Sequence, residues 1–400
     1  PVSSSPTPSS LPATSGSTFQ AHGYPRVLMI GGGQLSRMTH QAGVALGIGF
    51  RVLAQSTQDA AAQVVADTHI GGHDDAAAIG AATAGVDVVT FDHEHVPLEI
   101  LQQLESQGVA VRPASAALAF AQDKAEMRMR LSQLDVPLPR WAIVERAEEV
   151  AAFATEWPVV LKVSRGGYDG RGVWVCHTQH EVESVMSHEL APGVRWLVEE
   201  CVPFTRELSA QVARSPHGQM VAYPVVETVQ TNGMCAEVIA PAPNLSDDRA
   251  AEAQRIAMTI ADALGVTGML AVELFDTGDA IYVNELAMRP HNSGHWSMDG
   301  AVTSQFENHL RAVLDLPLGS PAPLKNWTVM VNVIGGEYPD MYAAFKHCMA
   351  RDPGLKIHMY GKEVRPGRKI GHVNVVSDDL DDALRRARHA AAYLTGTIEE

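Results

Sequence analysis

The chain has 400 residues, of which 46% are hydrophobic and 19% are charged, and it carries a formal net charge of −16. This length predicts roughly two to four domains, and this hydrophobic content predicts packed cores rather than a disordered chain. The acidic balance argues against broad binding of nucleic acid or anionic membranes, although it is compatible with a local basic pocket.

Features of secretion, membrane insertion and zinc binding are missing from the sequence. The four cysteines form neither a CxxC pair nor a Cys/His spacing suited to zinc, which predicts buried or free thiols. No apolar run approaches the roughly 20 residues of a membrane span. Residues 1–24 are rich in Ser, Pro and Thr and lack the pattern of a signal peptide, so we expect a disordered tail. We therefore expect a soluble, cytoplasmic protein.

The first folded segment has the alternation of a Rossmann-like domain. An apolar strand at 27–30 leads into a glycine turn at 31–35, and a helical pattern covers 37–46. The amides at the start of such a helix can hold phosphate. However, Ser36 interrupts the GxGxxG fingerprint, and Gln55 stands where a dinucleotide enzyme carries an acidic residue. These departures disfavour an NAD-dependent dehydrogenase.

A further strand of this domain, at 86–91, ends in the polar run Asp-His-Glu-His at 92–95. Ligands of α/β sheets bind at the carboxyl ends of strands. We expect Glu94 to contact a substrate hydroxyl or amine. The alternatives are a metal site that uses the flanking histidines and an ordinary loop.

A glycine-rich hairpin loop lies near the middle of the chain. The strand 158–163 carries one lysine, Lys162, among apolar residues, and the loop 164–172 leads into a strand at 173–176. A mobile glycine loop above a strand lysine covers phosphates in several ATP enzymes, although the Walker A pattern is missing. The alternative, an ordinary flexible hairpin, does not explain the lysine.

The next segments suit the rest of a nucleotide. The strand 196–202 turns polar at its end and can offer main-chain groups to an adenine edge, with Glu207 within reach of a ribose. Antiparallel strands are predicted within 207–225, and an amphipathic helix at 250–264.

Two apolar runs at 269–275 and 280–283 flank an Asp/Gly-rich break, which predicts a β-hairpin. In this hairpin Glu273 and Glu285 fall opposite each other. Because facing carboxylates repel, we expect a cation between them, and Mg²⁺ commonly bridges carboxylates to nucleotide phosphates. The alternative is a solvated acidic edge.

Two polar loops complete the pattern. The loop 289–295 combines Arg, His and Asn side chains with a proline and a glycine, which suits a small anion beside a metal site. A basic, glycine-containing patch at 360–369 lies in the last segment, where an anion such as a phosphomonoester would concentrate. Each segment could also be a solvated loop.

A lysine-backed glycine loop, an adenine strand and two hairpin carboxylates, in this order, resemble the ATP-grasp fold. In detail the chain resembles the N5-carboxyaminoimidazole ribonucleotide synthase family of purine biosynthesis from about residue 25 to 390. The matching pieces are Gly-Gly-Gly-Gln-Leu (31–35), Glu-His-Val (94–96), Gly-Gly-Tyr-Asp-Gly-Arg-Gly (166–172), Val-Asn-Glu-Leu-Ala (283–287), Arg-Pro-His-Asn-Ser-Gly-His (289–295), Ser-Gln-Phe (304–306), Arg-Pro-Gly-Arg-Lys (365–369) and Gly-His (371–372). The pieces at 166–172 and 289–295 are specific to this branch of the ATP-grasp enzymes.

The resemblance implies a chain of mixed α/β and α+β class, with an ATP-grasp fold between an N-terminal Rossmann-like domain and a small C-terminal domain. The implied bounds are 1–24 for the tail, 25–115 for the first domain, 116–315 for the ATP-grasp domain with its lid at about 140–203, and 316–400 for the C-terminal domain. It also implies an ATP-grasp ligase that carboxylates 5-aminoimidazole ribonucleotide with bicarbonate through carboxyphosphate. ATP and Mg²⁺, with two ions, are the implied cofactors, and a homodimer is the implied assembly.

The resemblance assigns roles to individual residues. The ATP site would comprise Arg112, Lys162, Gly167, Tyr168, Asp169, Gly170, Arg171, Gly172, Glu199, Glu200, Cys201, Val202, Glu207, Gln230, Asn284 and Glu285. The metal ligands would be Glu273 and Glu285. The catalytic residues would be Arg289, His291 and Asn292 on the bicarbonate-derived anion, with Arg171. The nucleotide substrate would meet Gln34, Glu94, Tyr168, Asp169, Arg171, Lys362 and Arg368.

Three other functions compete with this interpretation. A formate-dependent glycinamide ribonucleotide transformylase would use the same ATP-binding parts but activate formate. A non-catalytic nucleotide-binding regulator is expected to have lost a metal carboxylate or the anion loop, and both are intact here. The NAD-dependent dehydrogenase is disfavoured for the reasons given above.

Overall fold

The computed structural model describes residues 23–167, 172–231, 233–336 and 340–398. The chain begins with a parallel sheet of strand order β3-β2-β1-β4, flanked by helices. Its elements are β1 (Arg26–Ile30), α1 (Gln34–Ala45), β2 (Gly49–Ala54), β3 (Asp67–Ile70), α2 (Ala76–Ala82), β4 (Val88–Phe91) and α3 (Leu98–Ser106). The predicted Rossmann-like alternation is confirmed. Helix α1 starts at Gln34 rather than at Arg37, because the extended Gly33 directly precedes its first turn.

The second region combines helices with an antiparallel sheet of order β5-β8-β6-β7. Its elements are α4 (Ser115–Gln122), α5 (Lys124–Ser132), β5 (Trp141–Val144), α6 (Ala147–Phe153), β6 (Val159–Val163), β7 (Val173–Cys176), α7 (Gln179–Met186) and β8 (Trp196–Glu200). Asp123 separates α4 from α5, because its backbone is extended and its carboxylate caps α5 by accepting from the N–H groups of Ala125 and Glu126.

A long antiparallel sheet and the helices packed on it form the rest of the described chain. Its elements are β9 (Arg206–Arg214), β10 (Met220–Ala222), β11 (Val226–Thr231), β12 (Met234–Ala240), α8 (Asp247–Ala263), β13 (Gly268–Asp276), β14 (Ile281–Ala287), α9 (Ser297–Gly300), α10 (Gln305–Val313), β15 (Trp327–Ile334), α11 (Phe345–Arg351), β16 (Lys356–Met359), β17 (Lys369–Ser377) and α12 (Leu380–Thr395). Short 3₁₀ turns lie at Asn292–Gly294 and Met341–Ala344.

The strand order of this sheet is β14-β13-β9-β11-β12-β15-β17-β16, with β10 paired to β9. Because β15 pairs with β12, the sheet continues across the boundary predicted at 315. The last region nevertheless has its own apolar core, which α12 covers with residues such as Ala387 and Leu394.

The first parallel sheet region, the second region and the long antiparallel sheet pack against one another through helices. Helix α5 contacts both the second sheet and the β13–β14 hairpin, while α1 packs against α10. Within the described part of the chain, no helix has the length and apolarity needed to cross a bilayer.

Candidate active site

The predicted hairpin and its register are confirmed. Strands β13 and β14 pair antiparallel, and Glu273 is the direct partner of Glu285. Both side chains are half-buried. Burial, and then the charge of Glu285, raises the pKa of Glu273 to about 7. The two acidic side chains therefore form the predicted pair in a place where their charges repel.

Positive and polar groups surround this pair. The Nζ of Lys124, the first residue of α5, contacts Oε1 of Glu285. Burial alone would raise the pKa of Glu285, but the charge of Lys124 and its hydrogen bond outweigh that effect and lower it. On the other carboxylate, Nε2 of His291 lies 3.4 Å from Oε1 of Glu273.

A buried ion network joins the second sheet to the hairpin. Nε of Arg128 lies 2.7 Å from Oε1 of Glu199, and Nζ of Lys162 lies 2.7 Å from Oε2 of the same carboxylate. Lys162 also donates to Oδ1 of Asn284 at 3.1 Å, and Arg128 donates to the carbonyls of Val283 and Asn284 at 3.1 and 2.8 Å. Burial alone would raise the pKa of Glu199, but the two cations lower it to about 2. The network places Lys162 beside the hairpin that carries Glu285.

The described ends of the glycine loop, residues 164–167 and Gly172, lie where the loop joins the two strands of the β6–β7 hairpin. The N–H of Val163 donates to the carbonyl of Gly172 at 3.0 Å, which closes the β6–β7 hairpin below the loop. Gly172 has a φ of +72°, and a Cβ there would press on the side chain of Val163, so this position requires glycine. The predicted contacts of Tyr168, Asp169, Gly170 and Arg171 lie outside the described residues, whereas Gly167 is described.

The base of the glycine loop is attached to α5. The N–H of Lys124 donates to the carbonyl of Ser164 at 2.8 Å. The buried carboxylate of Asp123 accepts from Nε of Arg165 at 2.8 Å and from NH2 of Arg195 at 3.2 Å. The same helix start therefore holds both the loop and Lys124.

The loop 289–295, which we call the anion loop after its predicted role, lies next to the hairpin carboxylates Glu273 and Glu285. Nε of Arg289 donates to Oε2 of Glu94 at 2.8 Å, which brings together two predicted site residues that are 195 positions apart in the sequence. Burial, followed by the charges of Arg289 and Lys369, lowers the pKa of His291 to about 3. His291 is therefore neutral near pH 7 and can use one ring nitrogen as an acceptor.

Asn292 reaches from this loop to the C-terminal region. Its Nδ2 donates to Oδ1 of Asn332 at 3.0 Å, and Nδ2 of Asn332 donates back to Oδ1 of Asn292 at 2.8 Å. Asn332 lies on β15, so this reciprocal amide pair attaches the anion loop to the last region of the chain.

The basic patch meets the glycine turn of the first domain. Nζ of Lys362 donates to Oε1 of Gln34 and lies 5.7 Å from the centre of the Tyr360 ring. NH1 of Arg368 donates to the carbonyl of Glu363 at 3.3 Å, within the same patch. Gln34 and Lys362, two of the predicted nucleotide-binding residues, are thus brought into contact.

The glycine turn is built around Asp92. Oδ2 of Asp92 accepts from the N–H of Gly33 at 2.6 Å, and a Cβ on Gly31, whose φ is +107°, would collide with the same carboxylate. Burial raises the pKa of Asp92 to about 6. The glycines therefore make room for a buried side chain of this protein.

The other residues predicted to bind ATP lie at the end of β8, on β9 and β11, and after the first sheet. Glu207 lies on β9 and is hydrogen-bonded to Gln230, and burial raises its pKa. The carboxylate of Glu200 accepts from the N–H of Arg140 at 2.8 Å. Cys201 and Val202 follow the end of β8, with Val202 buried. Arg112 donates to the carbonyl of Val313 at 2.7 Å, and its role in binding ATP stays a prediction.

Comparison with known proteins places this arrangement in a family. Profiles of a ribonucleotide synthetase preATP-grasp domain, an ATP-grasp domain and a phosphoribosylaminoimidazole carboxylase C-terminal domain match residues 25–122, 129–306 and 328–386. The chain is 53% identical over 377 residues to the N5-carboxyaminoimidazole ribonucleotide synthase of Mycobacterium tuberculosis, covering 93% of this chain and 88% of the relative. The chain belongs to the N5-carboxyaminoimidazole ribonucleotide synthase family.

Other family members show the same likeness. The Corynebacterium ammoniagenes synthase is 46% identical, with 94% of each chain covered. The crystal structure of the Aspergillus clavatus synthase in complex with ADP and 5-aminoimidazole ribonucleotide matches with a TM-score of 0.84 at 30% identity, covering 94% of this chain and 99% of that one. Membership of the N5-carboxyaminoimidazole ribonucleotide synthase family confirms the predicted ATP-grasp fold, with its preATP-grasp and C-terminal parts, and the ligase class.

Sequence reasoning missed several residues that organise this synthase-family site. They are Lys124, Arg128, Gln305 and Asn332. Arg128 carried one available signal, because it lies on the same helical turns as buried apolar residues such as Met127 and Leu131. Gln305 lies in the matching piece 304–306, to which the resemblance assigns no role, whereas Lys124 and Asn332 act through contacts that no local spacing reveals.

Proposed function

We infer that the protein catalyses the ATP-dependent carboxylation of 5-aminoimidazole ribonucleotide with bicarbonate, forming N5-carboxyaminoimidazole ribonucleotide, ADP and phosphate. One observation supports this proposal. The anion loop lies beside the two hairpin carboxylates, because Nε2 of His291 is 3.4 Å from Oε1 of Glu273, the partner of Glu285. An anion held at this loop would therefore lie beside the phosphate end of a nucleotide.

The two carboxylates fit Mg²⁺. Among the described residues no group of three or more His, Cys, Asp and Glu side chains converges as a metal-ligand set. A pair of carboxylates is nevertheless a common protein contribution to Mg²⁺, which keeps several waters and binds substrate phosphates. Burial is the main cause of the raised pKa of Glu273, and the charges of Glu285 and Glu207 add to it, so a cation would stabilise the ionised pair. When bound, Mg²⁺ neutralises charge on the transferred phosphoryl group, and two ions form part of this proposal.

The ATP molecule would lie between the second sheet and the hairpin. Lys162 and the loop that ends at Gly172 would hold its phosphates, as a buried lysine below a glycine loop can. The side chains of Glu199 and Glu200 are already engaged, so we propose that the main chain at Cys201 and Val202 meets adenine. Glu207 and Gln230 would face the ribose.

The chemistry has two stages. Bicarbonate oxygen attacks the γ-phosphorus of ATP, ADP leaves, and carboxyphosphate forms. Carboxyphosphate then breaks into CO₂ and phosphate. The exocyclic amine of the nucleotide attacks the carbon of CO₂ and loses one proton, which gives the N-carboxylate. Arg289 supplies a positive charge to the anion, and neutral His291 supplies a hydrogen-bonding nitrogen. Because carboxyphosphate is short-lived in water, a covering loop at 164–172 suits this chemistry.

The nucleotide substrate would span the first and last regions of the chain. We propose that Gln34 and Glu94 contact the aminoimidazole ribonucleotide, while Lys362 and Arg368 bind its 5′-phosphate. The contact between Lys362 and Gln34 supports a shared pocket. Tyr168, Asp169 and Arg171 complete the proposal from the glycine loop. We further propose that the protein is cytoplasmic and forms a homodimer. Light scattering of the purified protein measures its mass and so tests the proposed dimer.

An ADP-release assay tests the function. Purified protein receives ATP and Mg²⁺ with bicarbonate or formate, each with and without 5-aminoimidazole ribonucleotide. The expected result is bicarbonate-dependent turnover that the aminoimidazole nucleotide increases, with carboxylated product detected by incorporation of ¹⁴C-bicarbonate. Turnover that depends on formate, or no stimulation by the nucleotide, would contradict the proposal.

A further inference from the structure

A buried glutamine holds the main chain of the anion loop. Gln305, the first residue of α10, is fully buried. Its Oε1 accepts from the N–H of His291 at 2.9 Å, and its Nε2 donates to the carbonyl of His291 at 2.8 Å. One amide side chain therefore satisfies both main-chain polar groups of a single residue, as a paired peptide group would. His291 cannot shift without breaking both bonds.

The same amide also contacts the far end of the loop. Nε2 of Gln305 lies 3.0 Å from Nδ1 of His295. Since this amide nitrogen can only donate, Nδ1 of His295 accepts and the ring proton is assigned to Nε2. A Cβ on Gly294, between the two histidines, would collide with Oε1 of Gln305. The loop 291–295 is thus wrapped around this amide.

Gln305 is itself held in place from the loop side. Its N–H donates to Oγ of Ser297 at 2.9 Å, and that hydroxyl donates to the carbonyl of Gly294 at 2.6 Å. We call these contacts of Gln305 the clamp. At one end the Gln305 side-chain amide is bonded to the main chain of His291, and at the other the Gln305 main-chain N–H is bonded to Oγ of Ser297. The bonds to His291 involve only its main chain, whereas its imidazole is the group that we assign to the anion.

The clamp determines where the His291 ring lies. Nε2 of this ring is 3.4 Å from Oε1 of Glu273, and its Nδ1 is 2.9 Å from Oγ of Ser293. We propose that Gln305 is a positioning residue for the bicarbonate stage, which it serves by fixing the main chain of His291 so that the imidazole stays beside the metal carboxylate. This inference rests on the proposed function and adds a residue to it.

The direct test is the isosteric variant Gln305→Glu. A carboxylate can accept from the N–H of His291, but it cannot donate to the His291 carbonyl or to Nδ1 of His295. We expect kcat of the carboxylation to fall about 10- to 100-fold, as for a misplacement near 1 Å. We also expect the KM for bicarbonate to rise, while the Kd for ADP, measured by calorimetry, changes less than about two-fold.

Asn308 provides a matched control on the same helix. It is fully buried, its Oδ1 accepts from the N–H of Gly319 at 2.7 Å, and its Nδ2 donates to the Gly319 carbonyl at 3.2 Å. Asn308→Asp therefore breaks a clamp of the same kind away from the anion loop. We expect this variant to lower Tm as Gln305→Glu does, but to leave the KM for bicarbonate unchanged.

A milder variant keeps the test usable if Gln305→Glu does not fold. Ser297→Ala removes the acceptor for the Gln305 N–H while leaving the amide in place. We expect the KM for bicarbonate to rise several-fold, with the KM for ATP unchanged. The inference is tested only against wild-type protein that shows bicarbonate-dependent turnover. It is overturned if each folded variant at Gln305 or Ser297 then has the same KM for bicarbonate as Asn308→Asp. Wild-type protein without such turnover would instead contradict the proposed function.

Discussion

Glu273 and Glu285 face each other across the β13–β14 hairpin, yet their pKa values shift in opposite directions. Burial and then the charges of Glu285 and Glu207 raise the pKa of Glu273 to about 7. Burial acts on Glu285 in the same sense, but Lys124 overcomes it and keeps that carboxylate ionised. The pair is therefore asymmetric, with one ionised member and one that binds a proton near neutral pH.

Replacing either glutamate by glutamine is expected to abolish most activity. Each change removes a negative ligand from the proposed Mg²⁺ site without changing side-chain size, and the loss of one such electrostatic contact lowers kcat by about 100-fold or more. Steady-state ADP release over a range of Mg²⁺ concentrations measures the effect. Glu227→Gln, on β11 of the same sheet, is the control and should retain activity. Activity of Glu285→Gln near that of the wild type would contradict the metal assignment.

Glu273 also predicts a pH dependence of stability in the protein without metal or nucleotide. Its pKa is raised from 4.5 to about 7 on folding, so the folded state favours the protonated carboxyl. Below pH 4.5 the carboxyl is protonated in both the folded and the unfolded state, so Glu273 does not lower the stability of the folded protein. The loss of stability grows as pH rises to about 7. We therefore expect Glu273→Gln to be increasingly more stable than wild type across this window, as measured by Tm at several pH values. A Tm difference that is constant with pH would contradict the shift.

Local pattern was sufficient for the hairpin carboxylates but not for their partners. Glu273 and Glu285 belong to one hairpin, so the position of the turn determines their pairing. Lys124 and Arg128 reach the same hairpin from α5, and their contacts depend on how a helix packs between two sheets. No hydrophobic periodicity in the sequence indicates contacts between residues so far apart in the chain.

The same limit applies to the larger architecture. The alternation that begins at β1 predicted a Rossmann-like start, because hydrophobic period and glycine turns are local signals. The pairing of β12 with β15 joins Val238 to Met330 and makes one sheet of two predicted domains. Such long-range pairing is selected by the whole fold, so no local pattern in the sequence indicates which strand lies next to β15.

Arg128→Met is expected to destabilise the folded protein strongly. The change preserves much of the side-chain volume but leaves Glu199 paired with Lys162 alone, and leaves the carbonyls of Val283 and Asn284 without their donor. Breaking a buried ion pair in this way costs about 3–5 kcal/mol. Urea unfolding measures the free energy of unfolding.

Arg130→Met is the control for this experiment. Arg130 lies on the same helix but is half-exposed and donates to Gln133 and to the Ala263 carbonyl. We expect it to change the free energy of unfolding by less than about 1 kcal/mol. Equal losses in the two variants would show that the buried network adds no particular stability.

Lys362→Ala is expected to weaken binding of the nucleotide substrate and not of ATP. The lysine donates to Gln34 beside the glycine turn, whereas the proposed phosphate site of ATP lies at Lys162. A charge-assisted hydrogen bond of about 1.5–3 kcal/mol corresponds to a KM increase of roughly 10- to 100-fold for 5-aminoimidazole ribonucleotide. Lys325→Ala is the matched control, because Lys325 pairs with Asp378 on the exposed surface of the C-terminal region. A rise in the KM for ATP of similar size would show that Lys362 does not serve the nucleotide pocket alone.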